Sequence, residues 1–290
     1  MKDARGGRER RRPSGTLGPV TPAIFAGLIL LGVAVGAFGT LVGAGGGFVL
    51  TPVLLLLYPG DSPQTITAIS LVAVFFNALS GSAAYARQRR IDYRSGAVFA
   101  AATVPGAIAG ALLVQLAPRR VFDPLMGALL LALAALTVRG ASRRRGAHVE
   151  AGGSERRFTD AAGTSYRYRV PVARGAAYSV GVGFLSSFLG IGGGVVHVPL
   201  LVSLLGFPVH VATATSHFVL ANMAGVASVV HLLGGSFAAG HGLRRAAALS
   251  IGVVAGAQLG ARASSRLRGT TIRGLLAAAL ALLAVRLLLS

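Results

Sequence analysis

Long apolar segments alternate with short polar stretches along almost the whole chain. The apolar segments span about 20–42, 47–58, 64–86, 95–117 and 121–139, then about 172–190, 194–206, 210–233, 245–262 and 270–289. Most of them approach the ~20 residues that a helix needs to cross the hydrocarbon core of a bilayer. The pattern therefore predicts an all-α polytopic membrane protein.

Two polar stretches divide the chain into four parts. Residues 1–19 are basic and are predicted to form a cytoplasmic tail. Residues 140–171 contain the run Arg143–Arg145 and are predicted to form a mobile cytoplasmic linker. The membrane-embedded parts are then residues 20–139 and residues 172–290.

These two membrane-embedded parts resemble each other. The glycine triplet Gly45–Gly47 recurs 147 residues later as Gly192–Gly194, and the stretch Thr67–Ser70 recurs 146 residues later as Thr213–Ser216. Repetition of several motifs in the same order indicates an internal duplication, which is typical of secondary transporters. We expect two tandem homologous repeats, each with a broken or re-entrant helix at its glycine triplet.

Charge in the loops predicts how the repeats cross the membrane. The loop 87–94 contains four arginines and the loop 58–63 contains none, so the positive-inside rule places them inside and outside respectively. With the tail also inside, residues 20–58 must make one net crossing, although 39 residues of helix would span about 58 Å. This scheme gives about four crossings per repeat. In the alternative, 47–58 crosses fully, which gives ten spans and inverted halves.

Composition excludes several classes of function. Hydrophobic residues make up 53% of the chain, and the net charge of +20 comes from arginines between apolar segments, where they set topology rather than bind nucleic acid. With no cysteine, thiol catalysis and cysteine metal sites are excluded, and we predict no metal site and no cofactor. The eight acidic residues lie in tails, loops or segment edges, which argues against a cation pump. No protease motif is present, so an enzyme is not expected.

The sequences "GAGGGFVLTPVLLLL" and "LGIGGGVVHVPLLVSLLG", each followed by a helix with a TAxS-type motif, resemble the sulfite exporter TauE/SafE family of bacterial membrane permeases. The resemblance covers residues 20–289. It implies transport of a small anion, sulfite or an organosulfonate, across the cytoplasmic membrane. Alternating access is the expected mechanism. Two alternatives stay open: a channel-like anion conductor of the same fold, and a non-transporting scaffold that binds a partner through the linker.

Glycine and polar side chains supply the candidate substrate site. A helix that begins at Gly47 or Gly194 directs free N–H groups and its positive dipole end at the break, so two breaks can converge on one anion. The alternative is that the glycines only permit close helix packing. The candidate substrate-binding residues are Gly45, Gly46, Gly47, Ser70, Asn77, Gly192, Gly193, Gly194, Ser216 and Asn222.

Two histidines differ between the repeats. His197 and His217 stand where the first repeat has Leu50 and Leu71. A histidine inside a membrane helix can carry a proton or attract an anion, so both are candidates for coupling. The expected partners are a small anionic substrate and the lipid bilayer, and the sequence does not fix the oligomeric state.

Overall fold

The computed structural model describes residues 21–142, 153–237, 241–264, 266–267 and 269–288. The predicted tail and the arginine run of the linker lie outside the described residues. The elements are α1 Pro22–Val42, α2 Gly47–Leu57, α3 Pro63–Arg87, α4 Tyr93–Leu113, α5 Arg119–Ser142, β1 Ser154–Thr159, β2 Ser165–Val170, α6 Val172–Leu189, α7 Gly194–Ser203, α8 Val209–Leu233, α9 Gly242–Ser264 and α10 Gly269–Leu288. A single 3₁₀ turn extends α4 to Leu116.

Six of the described helices are long and apolar enough to cross a membrane: α1, α3, α4, α6, α8 and α9. Their ends follow from local sequence. Thr21 caps α1 and Ser62 caps α3, and in both cases a proline follows at the first helical position, where its missing N–H costs nothing. The protein is a multi-pass α-helical membrane protein, as the pattern of apolar segments predicts.

Helices α3 and α9 are parallel, and they define the two ends of the bundle. Gly242 at the start of α9 lies beside Thr65 at the start of α3. Gln88, just past the end of α3, donates through Nε2 to the carbonyl of Ala261 near the end of α9. We call the end where both helices begin the Asp61 end, and the opposite end the hairpin end, because strands β1 and β2 lie there.

Helix α1 also runs from the Asp61 end, because it packs parallel to α9. A Cβ atom built on Gly252 would lie 2.1 Å from the carbonyl oxygen of Ile29, and one on Gly260 would lie 2.1 Å from that of Ala37. Small residues allow two helix backbones to approach this closely in a membrane. The register places the first turn of α1 level with the first turn of α9.

After α1 the chain reverses direction inside the bundle. Gly46 folds back against Val35, and α2 then runs back to the Asp61 end, where Arg245 of α9 forms an ion pair with Asp61 at 2.5 Å. With 11 residues, α2 is about 16 Å long, too short to cross the bilayer core. Helices α1 and α2 therefore form a re-entrant hairpin whose two ends lie at the same end of the bundle.

This reversal corrects the predicted topology. Residues 20–58 were expected to make one net crossing, and the structure gives them none, because the left-handed glycines reverse the chain instead of only kinking a helix. Thr21 consequently lies at the Asp61 end, opposite the loop 88–92. The start of α1 and the arginine-rich loop thus lie at opposite ends of the bundle, whereas the tail itself, predicted on the same side as that loop, lies outside the described residues.

Helices α6 and α7 form a second re-entrant hairpin, which enters from the opposite end. Helix α6 follows β2 directly and packs along α4. The chain then turns, so that Gly193 packs against Val182 and the segment after α7 returns Leu205 to Gly175 in the first turn of α6. Both ends of this hairpin lie at the hairpin end of the bundle.

Part of the stretch that was predicted to be a linker forms two β-strands beside the helices. Strands β1 and β2 pair antiparallel, from Ser154 opposite Val170 to Thr159 opposite Ser165. Val170 is fully buried and the ring of Tyr168 lies 4.9 Å from that of Phe207, between α7 and α8. The β-hairpin is thus part of the packed core at this end.

Charged groups anchor the β-hairpin to the loop between α3 and α4. The Tyr168 hydroxyl donates to Asp92 at 2.9 Å, and Arg156 pairs with the same carboxylate at 3.4 Å. Burial raises the pKa of Tyr168, and the negative charge of the neighbouring Asp92 carboxylate raises it further. At the turn, Arg90 pairs with Asp160 at 3.1 Å.

Asp160 makes this anchor sensitive to pH. Burial by itself raises the pKa of Asp160, but hydrogen bonds from the N–H groups of Thr164 and Ala162, and from Arg90, outweigh it and hold the pKa below its usual range. An aspartate with a lowered pKa stabilises the folded state above the unfolded pKa of about 4, and this contribution is lost as pH falls through the folded pKa.

We therefore expect Asp160→Asn to release the β-hairpin at neutral pH, and acid below about pH 4 to do the same in the wild type. Tryptic cleavage after Arg157, followed by mass spectrometry, measures the release at neutral pH; pepsin cleavage of the same strand serves in acid. Glu155→Gln is the matched control, because the ion pairs of Glu155 with described residues are those with Arg157 and Arg167, both inside the hairpin. Equal protection of Asp160→Asn and wild type would refute the anchor.

Cysteine labelling tests the topology directly. Single cysteines at Thr21, Asp61 and Ile91 place one thiol at each end of the first hairpin and one at the opposite end of the bundle. We expect an impermeant maleimide to label positions 21 and 61 from one side of the membrane and position 91 from the other. Labelling of 21 and 91 from the same side would restore the net crossing that the structure removes.

Candidate functional site

The turns of the two re-entrant hairpins meet in the middle of the bundle. A Cβ atom on Gly194 would lie 2.3 Å from the carbonyl oxygen of Gly43, and one on Gly47 would lie 2.6 Å from the carbonyl group of Ile191. We call residues 43–47 and 190–194 the glycine crossing. Its left-handed positions are Gly43, Gly45, Gly46, Gly190 and Gly192, with φ between 66° and 82°. Only glycine adopts this backbone without strain.

Both short helices begin at the glycine crossing and run to opposite ends. Helix α2 starts at Gly47 and ends at the Asp61 end, and helix α7 starts at Gly194 and ends at the hairpin end. The first N–H groups of a helix have no partner within it, and the dipole is positive there. Two positive helix ends therefore lie next to each other at the centre of the protein, at the predicted glycine triplets.

Ser70 lies at the crossing, but its hydroxyl is already engaged. The hydroxyls of Ser70 and Thr51 lie 2.7 and 2.6 Å from the carbonyl oxygen of Gly190, and 2.9 Å from each other. All three groups are buried. Ser70, a predicted substrate ligand, therefore connects α2 and α3 of the first half to the turn of the second half.

Ser216, the counterpart of Ser70, is in a different environment. Its hydroxyl is buried and has no hydrogen-bond partner among the described residues. It lines a narrow cleft, which we call the His197 cleft, whose walls are Thr103, Val182, Gly193, His197, Ser216, Val219, Leu220 and Met223. These walls lie close together, and no part of the cleft is wide enough for a water molecule.

Asn77 and His217 meet in a buried polar cluster at the end of α1. The Thr40 hydroxyl donates to Asn77 Oδ1 at 3.1 Å, and His217 Nε2 lies 3.3 Å from the same hydroxyl. The Tyr85 hydroxyl donates to the Thr40 carbonyl at 2.7 Å. Asn77 Nδ2 and His217 Nδ1 are both buried without a partner among the described residues, so this cluster retains two unpaired polar atoms.

Asn222 lies away from the crossing. Its side chain is exposed on α8 and donates to the carbonyl of Phe218 in the same helix. The sequence analysis treats Asn222 as the counterpart of Asn77. Ser216, however, lies 146 residues after Ser70, and the residue 146 positions after Asn77 is Met223. One residue along a helix is a rotation of about 100°, which moves Asn222 to the outer face.

The sequence analysis missed Thr103, which lines the His197 cleft, and three polar residues that hold the surrounding helices together, Thr40, Thr51 and Tyr85. Thr51 stands inside the repeated motif between the triplet and Pro52, where its polarity could have been noticed. Thr40 and Tyr85 carried no signal, because only the folded-back hairpin brings them together. In the described part of the chain, no group of His, Asp and Glu side chains is arranged to hold a metal ion.

Comparison with known proteins gives consistent matches. The family model described as "Sulfite exporter TauE/SafE" matches residues 28–287. The "Probable membrane transporter protein YunE" of Bacillus subtilis is 33% identical over 254 residues, which cover 86% of this chain and 91% of the relative. A probable membrane transporter protein of Xylella fastidiosa is 30% identical over 173 residues, covering 60% of this chain and 59% of the relative. No solved structure matches the chain.

Proposed function

This chain belongs to the sulfite exporter TauE/SafE family of membrane transporters, and on that premise we propose that it is a permease for a small anion. The proposed substrate is sulfite or an organosulfonate, carried across the cytoplasmic membrane by alternating access. The proposed site is the glycine crossing with the polar side chains beside it, chiefly Ser216 and Asn77.

The observation that carries the proposal is the meeting of two helix N-termini at the centre of the bundle. Gly47 and Gly194 each start a helix within contact distance of the other hairpin's turn. Unpaired N–H groups and positive dipole ends favour an anion over a cation. The acidic side chains of the described residues are Asp61, Asp92, Asp123, Glu155 and Asp160, all at the ends of the bundle, so none of them repels an anion at the crossing.

Alternating access is supported by the way the two halves exchange contacts. Helices α1 and α3 of the first half pack on α9 of the second half. In the same way, α6 and α8 of the second half pack on α4 of the first half. Helix α2 contacts α10 as α7 contacts α5. The first half begins at the Asp61 end and the second at the hairpin end. We propose that they are inverted repeats, each made of one re-entrant hairpin and three further helices, α3–α5 or α8–α10, and that the repeats rock about the glycine crossing.

We propose that the hairpin end faces the cytoplasm. The arginines of the described residues concentrate there: Arg87, Arg89, Arg90, Arg94, Arg156, Arg157, Arg167, Arg169 and Arg174, with Arg262 and Arg266 at the end of α9. The Asp61 end carries Arg119, Arg120, Arg244 and Arg245. The positive-inside rule favours the richer end as cytoplasmic. This orientation places the start of α1 on the outer side.

Flux in proteoliposomes tests the proposed function. The panel is sulfite, thiosulfate, sulfoacetate, taurine and acetate as a carboxylate control. We expect saturable flux of at least one sulfur oxyanion and none of acetate. Movement of acetate without any sulfur anion would overturn the substrate class, and absence of all flux would favour a non-transporting scaffold. Large unitary currents in electrical recordings would favour a channel.

A further inference from the structure

We propose that the His197 cleft holds the charged end of the substrate, and that the equivalent place in the first half is purely structural. The inference rests on the proposed transport function and assigns its binding site to one of the two halves. Its basis is a difference between two places that the internal repeat makes equivalent in sequence.

Buried polar atoms without partners converge beside the cleft. Ser216 Oγ and His197 Nδ1 are buried on its wall, and Ser186 Oγ lies behind Gly193, about 3.0 Å from where a Cβ of that glycine would stand. None of these three atoms has a hydrogen-bond partner among the described residues. Native proteins rarely leave buried polar atoms unpaired, so a cluster of them indicates a group that binds there.

The first half has filled the equivalent positions differently. Leu50 stands in place of His197, and the Ser70 hydroxyl, equivalent to that of Ser216, lies 2.7 Å from the carbonyl of Gly190. Thr51 reinforces that contact, whereas the second half has Val198 at this position. At these equivalent positions the first half thus ties its hydroxyls to the backbone of Gly190, whereas the Ser216 hydroxyl of the second half has no partner among the described residues.

The walls of the cleft define the ligand. Its polar side chains are Thr103, His197 and Ser216, beside the N-terminus of α7, with no carboxylate or guanidinium among the lining residues; the Thr103 hydroxyl already donates to the carbonyl of Ala100, which leaves His197 and Ser216 for a ligand. Its other walls are apolar, formed by Val182, Val219, Leu220 and Met223. Neutral donors at a helix N-terminus suit an oxyanion, and the apolar walls suit a short alkyl group. The ligand is therefore a small alkylsulfonate rather than bare sulfite.

The cleft has to widen before such a ligand enters. It admits no water molecule as it stands, and its walls come from α4, α6, α7 and α8. The re-entrant hairpin α6–α7 therefore has to move relative to α4 and α8.

A matched pair of substitutions tests this assignment. Ser216→Ala removes a hydroxyl that has no partner, so we expect unchanged thermal stability but a KM for ethanesulfonate raised about tenfold or more. Thr51→Val gives the first half the residue that the second half already has. We expect it to lower thermal stability, because a hydrogen bond to Gly190 is lost, while the KM of the folded protein stays within about twofold of wild type.

The readouts are ethanesulfonate uptake into proteoliposomes and the thermal stabilisation of detergent-solubilised protein by ethanesulfonate. We expect wild type to prefer ethanesulfonate over sulfite and Ser216→Ala to lose the stabilisation. A wild-type KM in Ser216→Ala, or preference for sulfite, would overturn the assignment while leaving a functioning permease. Absence of flux in wild type, with ligand stabilisation that still depends on Ser216, would overturn the transport function and support the cleft as a binding site.

Discussion

Gly194→Ala is expected to abolish transport and to lower the stability of the protein. The added methyl group would stand 2.3 Å from the carbonyl oxygen of Gly43 and 2.6 Å from the Cα of Ala44. Both neighbours are backbone atoms in the turn of the other hairpin, so they cannot rotate away. Overpacking of this kind costs about 1–3 kcal/mol and separates the two turns. Sulfite flux per folded protein and thermal unfolding in detergent measure the two effects.

Gly181→Ala is the matched control for this prediction. Gly181 lies in α6, the other helix of the same hairpin, and a Cβ there would meet no atom within 4 Å. Alanine in a helix interior is favoured over glycine by about 0.5–1 kcal/mol, so this variant should be at least as stable as wild type and fully active. Normal flux in Gly194→Ala would mean that the two turns do not touch in the working protein.

Arg119→Ala is expected to destabilise the first re-entrant hairpin by about 2–3 kcal/mol, because it removes several charge-assisted hydrogen bonds. The guanidinium donates to Asp123 in its own helix and to carbonyls in the last turn of α2 and just after it. The acceptor carbonyls are Leu55, Tyr58, Pro59 and Asp61. The last carbonyls of a helix have no partner within it, and Arg119 supplies one from α5.

Substitution of the adjacent Arg120 is the matched control, because it distinguishes loss of the cap from loss of a positive charge. Arg120 is exposed, and Arg120→Ala removes the same charge one residue away. We expect thermal unfolding of Arg120→Ala within about 0.5 kcal/mol of wild type. Equal destabilisation of both variants would assign the effect to net charge at this end of the membrane instead of to the end of α2.

The sequence predicts the helices well, because each is an apolar run with a clear boundary. Helix α2 was expected at 47–58 and spans Gly47–Leu57, and α8 was expected at 210–233 and spans Val209–Leu233. The break at each glycine triplet is also visible in sequence, because three glycines interrupt an apolar run. Physical pattern and length are sufficient for this level of description.

The direction of the chain after each break could not be predicted. A glycine-rich break is compatible with a kink, a crossing or a reversal, and only the left-handed turns of the first hairpin select the reversal. The positive-inside rule predicts one side for the tail and the loop 87–94, whereas the structure places the start of α1 and the loop 88–92 at opposite ends of the bundle. It also could not foresee that Arg119 caps α2 at the arginine-poor end.

Side-chain roles at the site depended on contacts between distant segments. Ser70 and Ser216 are equivalent in sequence, yet one hydroxyl is bonded to Gly190 and the other has no partner among the described residues. Strand β2 could have been predicted from its sequence. In "SYRYRV", from residue 165, apolar or aromatic residues alternate with polar ones, which is typical of a strand with one buried face.

The central claim, that a small sulfur oxyanion is carried through a site at the glycine crossing, is tested most directly by counterflow. Proteoliposomes are loaded with a high concentration of unlabelled ethanesulfonate or sulfite and diluted into medium that contains a trace of the same labelled anion. A carrier with one alternately exposed site is predicted to accumulate label transiently inside, and Gly194→Ala is predicted to remove this accumulation. Label that only equilibrates, with flux proportional to concentration, would contradict the account.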